Sequence, residues 1–77
     1  PDPMRDALSR AAAAGVLVVR ASRLPAGPVG RNAGVDDDRW GFVPAGWLSA
    51  HKARLVTALA IAAGLDRDGL RALIDRY

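Results

Sequence analysis

Gly15 is followed by Val16-Leu17-Val18-Val19, an unbroken aliphatic run, and this pairing constrains the fold more than any other part of the chain. A strand with one wet face alternates apolar and polar residues. An unbroken run suits a strand covered on both faces, as in a parallel sheet flanked by helices. The glycine before it tolerates the positive φ that ends a helix. Upstream, Asp2 can accept from free first-turn N–H groups, and Pro3 at the first helical position loses nothing. Met4, Ala7, Leu8 and Ala11 then recur at i, i+3, i+4 and i+7, which predicts a helix with one narrow, alanine-rich apolar stripe.

Beyond the run, Leu24 to Asn32 holds Pro25, Gly27, Pro28 and Gly30, which predicts an exposed loop. Gly34 to Arg39 continues it with Asp36, Asp37 and Asp38, whose repulsion favours water unless cations or helix N-termini lie close. Trp40 to Val43 reads as a second short strand, stopped at Pro44 because proline cannot serve a central ladder. Ser49 caps the next helix, with Leu55, Val56, Leu59, Ala60 and Ala63 as a broad apolar face and Gly64 as its stop. Asp66 opens a last helix carrying Leu70, Leu73, Ile74 and Tyr77 on one face, weakened by Gly69 in its first turn. No repeat, linker or low-complexity tract divides the chain.

Helix, strand, loop, strand, helix, helix leaves sheet edges without partners, so the pattern predicts part of a larger α/β domain. The opening at a helix cap points the same way, as though a preceding strand and turn were missing. At 77 residues the chain is one domain at most, and domains this small bury only about 60% of the surface the unfolded chain exposes. Cysteine is absent, so neither a disulfide nor a thiolate metal site compensates, and the lone His51 completes no zinc site.

The formal charge of +3 comes from eleven dispersed basic residues, often beside Asp, with no basic run of the kind that tracks phosphates. Solvated faces are expected rather than a nucleic-acid footprint. No apolar run approaches the roughly 20 residues of a membrane span, and the amino terminus lacks a charged-then-apolar secretory pattern.

Candidate chemistry is sparse. Thr57 falls inside the long helix, where a packed or back-bonded hydroxyl is expected rather than a nucleophile. His51 has no acid or serine at a triad-like spacing and reads as a solvated first-turn residue. Asp36 to Asp38 lack the ordered glycine and distal glutamate of a calcium loop, and the chain contains no glutamate, so no metal site is expected. Trp40 and Trp47, without interleaved basic residues, are expected in core or interface packing. Arg20 and Arg23 either anchor a carboxylate bidentately or form a buried or subunit-bridging ion pair.

The stretch from Val18 to Leu55 resembles the second domain of bacterial L-asparaginases. The landmarks are Val18 to Arg23, a loop with Pro25 and Gly27, Val35-Asp36-Asp37, Trp40 to Val43, and Lys52-Ala53-Arg54. The likeness covers nearly the whole chain and is best from Gly15 to Gly64. It implies part of a three-layer, Rossmann-like α/β domain, a short parallel sheet flanked by helices, with residues 1–77 a partial C-terminal domain and the N-terminal catalytic domain absent. It further implies a parent enzyme that hydrolyses L-asparagine to L-aspartate and ammonia, tetrameric and without cofactor. Its nucleophilic threonine and catalytic partners come from the first domain, so the catalytic residues here are none and the isolated chain is expected to be inactive.

In such proteins the second domain helps hold the substrate's α-amino group. One acidic position of that wall falls here on Gly34, which offers no carboxylate. That leaves the choice between asparagine, glutamine and other amides open. Location stays open between periplasmic or secreted and cytoplasmic, with neither nucleic acid nor membrane as a partner. The rival readings are a free-standing helical interaction module dimerising through Leu55, Leu59, Leu70 and Ile74, and a basic nucleic-acid binder.

Overall fold

A computed structural model describes residues 2–21, 29–31 and 36–76. The elements are α1 (Pro3–Ala13), β1 (Val19–Arg20), α2 (Asp37–Trp40), β2 (Val43–Pro44), α3 (Ala50–Ala62) and α4 (Arg67–Ile74). The chain is a mixed helical protein around a two-stranded parallel sheet, with Val19 opposite Val43 and Arg20 opposite Pro44.

Local chemistry sets the helix ends. The Asp2 carboxylate accepts from the Arg5 amide at 3.1 Å, and Pro3 occupies the first turn. At the other end Gly15, with φ 99°, donates to Ala12 O and Val16 donates to Ala11 O, a Schellman pair that satisfies two orphan carbonyls. The same two bonds, from Gly64 to Ile61 and from Leu65 to Ala60, close α3. Ser49 and Asp66 cap α3 and α4 by accepting from Lys52 N and Gly69 N.

The first strand begins later than its apolar run suggests. Val16 spends its amide on the helix cap, so the ladder starts where Val18 O accepts from Val43 N at 2.8 Å. The second strand is displaced too, from Trp40–Val43 to Val43–Pro44. Trp40, Gly41 and Phe42 donate back to Asp36 O and Asp37 O, so residues expected in a loop and a strand form the short helix α2 instead. Pro44 is tolerated because its neighbours carry the ladder: Val43 and Ala45 donate to Val18 O and Arg20 O, and position 44 faces the other side. Within the segment expected to be an exposed loop, Val29 is buried and exchanges two backbone bonds with Gly46.

Val43, Ala60, Leu70 and Ile74 form the core, with Leu17, Val19, Leu48, Val56 and Leu73 packed against it. Two expected apolar faces are corrected. In α1 the buried residue is Ala12, whereas Met4 is 70% exposed, because α1 approaches Gly41 so closely that only a methyl fits. In α3 Ala53 and Ala60 face inward with Val56 half-buried, while Leu55 and Leu59 are 52% and 69% exposed. Leu70 and Ile74 are interior, so the four residues of the proposed dimerising module share no surface.

Gly41, with φ 79°, is the crowded hinge between α1 and α4: a Cβ there would lie 2.5 Å from Arg67 Nη1 and 3.2 Å from Ala12 Cβ. At Gly15 a Cβ meets nothing within 4 Å. Gly15→Ala should therefore cost only the left-handed backbone penalty, about 1–2 kcal/mol. Gly41→Ala should cost about 1 kcal/mol more through overpacking, an order that urea midpoints of the two variants will check.

Candidate functional site

The most constrained polar cluster sits where β1 meets α2. Arg20 leaves the end of β1 and donates through Nε and Nη2 to the two carboxylate oxygens of Asp37, at 2.9 and 2.8 Å. Its Nη2 also donates to Gly30 O at 2.8 Å. One guanidinium thus joins β1, residue 30 and the first turn of α2, using the planar fork that lysine lacks. The Asp37 side chain is fully buried. The hydrogen bond from Arg20 to Asp37 raises the arginine's pKa above its ordinary value, partly opposed by burial and reinforced by the Asp37 charge.

Of the two readings for Arg20, the structure shows an ion pair within the chain. It also meets the condition under which burial within the acidic run was expected: the cation and the helix N-terminus that make burial tolerable are both present at Asp37. The strand-end arginine and the acidic run were each visible in the sequence, but nothing local says which aspartate turns inward to meet Arg20.

A second pair lies beside the first. Arg31 Nε donates to Asp38 at 2.8 Å, which raises the Arg31 pKa on an exposed surface. Arg71 of α4 approaches the same carboxylate to 3.9 Å, donates to Phe42 O and pairs with Asp68. Two arginine–aspartate pairs therefore bracket residues 32–35. Gly34, Arg23 and Tyr77 lie outside the described residues.

Asp36 caps α2 by accepting from Arg39 N, so each member of the acidic run already has a protein contact. No group of three or more potential metal ligands comes together among the described residues. Trp40 is half-buried between two cations, with the guanidiniums of Arg5 and Arg39 at 4.3 and 4.6 Å from its ring centroid. Trp47 is exposed rather than packed.

Among the described residues the hydroxyls are already occupied. Thr57 Oγ1 donates to Ala53 O one helical turn back at 2.7 Å, Ser9 Oγ donates to Trp40 O, and Ser49 Oγ serves as a cap. His51 is exposed at the start of α3. Among the described residues no hydroxyl is aligned with a base, and the cluster's observed bonds position backbone. No helix is long and apolar enough to cross a membrane among the described residues.

The family model described as "Glutaminase/Asparaginase C-terminal domain" matches residues 1–74. The chain is 39% identical over 72 residues to "L-asparaginase 2" of Escherichia coli K12, covering 94% of this chain and 21% of that protein. It is 48% identical over 56 residues to "Probable L-asparaginase periplasmic" of Haemophilus influenzae, covering 73% of this chain and 16% of that protein. It is 38% identical over 63 residues to "Glutaminase-asparaginase" of Acinetobacter glutaminasificans, covering 82% and 19%. The chain spans about a fifth of the length of the curated relatives it matches.

Proposed function

The chain belongs to the glutaminase/asparaginase C-terminal domain family, and from that premise we propose that it is the scaffold part of a longer L-asparaginase. In this reading residues 1–77 are a partial C-terminal domain of three-layer, Rossmann-like α/β form. The catalytic threonine comes from polypeptide outside these residues. The parent is a homo-oligomer, a tetramer by family resemblance, that hydrolyses L-asparagine to L-aspartate and ammonia. The match over residues 1–74, with each described hydroxyl committed to a hydrogen bond within the chain, carries the proposal. The role of the chain is to complete the fold and to border the active site. With Gly34 at the family's acidic position and Asp37 committed to Arg20, recognition of the substrate's amino group falls to another carboxylate or another loop. The name of the Haemophilus relative favours a periplasmic setting.

The test is ammonia release from asparagine by the full-length parent with the 77-residue chain assayed beside it. The parent should be active and the chain inert. Thr57→Val in the parent should leave kcat unchanged within about twofold and cost about 1 kcal/mol or less, since it removes only a back-bonded hydroxyl. Activity in the chain alone, or an inactive Thr57→Val parent that still folds, defeats the division of roles. An inert parent defeats the assignment of activity.

A further inference from the structure

Three guanidiniums gather where α1, α2 and α4 meet, around Trp40 and Gly41. Arg5 of α1 and Arg39 of α2 stack on the Trp40 ring, their central carbons 4.3 and 4.6 Å from its centroid. Arg67, the first residue of α4, lays its Nη1 against Gly41, 2.5 Å from where a Cβ would stand. The Ser9 hydroxyl, one turn beyond Arg5, donates to the Trp40 carbonyl and fixes the corner. Acid does not balance these charges. Asp6 pairs with Arg5 at 3.3 Å, whereas the exposed side chains of Arg39 and Arg67 have no acidic partner among the described residues. The nearby carboxylates are engaged elsewhere: Asp36 caps α2, Asp66 caps α4 and Asp68 turns to Arg71. Arg67 also stands at the N-terminus of α4, the positive end of the helix, where a cation is disfavoured and an anion favoured. One cation on the ring serves packing; a second on the same ring and a third beside it repel one another unless an anion joins them.

We propose that Arg5, Arg39 and Arg67 form a binding site for a phosphate-type oxyanion. Stacking uses the face of a guanidinium and leaves its N–H edge to donate, and the planar fork is organised for a bidentate acceptor before the ligand arrives. A tetrahedral oxyanion presents separate oxygens to separate forks, whereas a single carboxylate neutralises only one of the two unpaired cations. The N-terminus of α4 adds attraction of the same sign. A free phosphorylated solute and an anionic lipid headgroup offer this same chemistry. The site is independent of the catalytic reading and holds whether or not the parent cleaves asparagine.

The test titrates inorganic diphosphate into the 77-residue chain carrying Trp47→Phe, which leaves Trp40 as its single tryptophan. Trp47 is 73% exposed, so that change is mild. Diphosphate should alter Trp40 emission saturably and bind more weakly as sodium chloride rises. By calorimetry, Arg39→Gln and Arg67→Gln should each weaken binding about tenfold or more. Without anion both variants should melt at or above the midpoint of the unsubstituted chain, because each removes an unpaired like charge. Sedimentation with vesicles of phosphatidylcholine and phosphatidic acid, lost in the same two variants and seen where diphosphate fails to bind, assigns the site to a lipid headgroup. Binding of neither probe overturns the proposal, as does undiminished binding by the variants, which a diffuse basic surface would give. Binding by the chain that the full-length parent lacks overturns it too, since the corner would then be covered.

Discussion

Arg20→Met should destabilise the chain by about 3–5 kcal/mol, the cost of breaking a buried ion pair from one side. The partner left behind is fully buried, and the variant also strips Gly30 O of its donor. For 77 residues a typical total is roughly 4–12 kcal/mol, so the loss removes a large share of it. Arg20→Lys should recover only part of the loss, because an ammonium makes one point contact where the guanidinium makes two parallel bonds and reaches a carbonyl. Arg20→Met combined with Asp37→Leu should be more stable than Arg20→Met alone, since the second change removes a buried carboxylate that has lost its arginine.

The pH dependence has a definite sign. The pKa of Arg20 is raised in the folded chain, so its contribution is fully present below the unfolded value and fades only as pH climbs through the folded one. Urea midpoints of wild type and Arg20→Met should therefore keep a constant separation from roughly pH 7 to 11. A loss below about 1 kcal/mol for Arg20→Met would show that the pair does not hold β1 to α2.

What the sequence made legible was what short-range chemistry decides. Asp2, Ser49 and Asp66 cap because a side-chain oxygen reaches an amide three residues on, and Gly15 ends α1 because the turn needs positive φ. The parallel sheet followed from the aliphatic run after Gly15, although its ladder is shifted. The cap consumes the Val16 amide, and the α2 turn consumes those of Trp40 to Phe42. The faces of α1 and α3 were misread because periodicity says which residues share a side but not which side meets the core. Close approach at Gly41 selects Ala12 over Met4, and the inward row at Ala53, Val56 and Ala60 turns Leu55 and Leu59 outward. Burial of Asp37 depends on Arg20, seventeen positions away, a pairing no local pattern encodes.

Leu70→Ala should cost about 2–5 kcal/mol, the combined loss of transfer energy and of packing around the space left behind. Leu70 is fully buried on α4, beside Val43 of β2 and Ala60 of α3, so it joins both later helices to the sheet. The buried neighbours are small or β-branched and close poorly over the vacancy. Ala60 has no side chain to extend, Val43 is fixed in the ladder, and Ile74 sits one turn along the same helix. The cost should therefore fall in the upper half of that range. Leu59→Ala is the control: the same atoms are deleted from a side chain 69% exposed in this chain, and the expected loss is within about 0.5 kcal/mol. Thermal melts of the two variants should separate widely, with the Leu70→Ala midpoint far below wild type and Leu59→Ala near it. Comparable losses in both would mean that α3 is anchored through its outer face and that the core at Val43, Ala60 and Leu70 is misplaced.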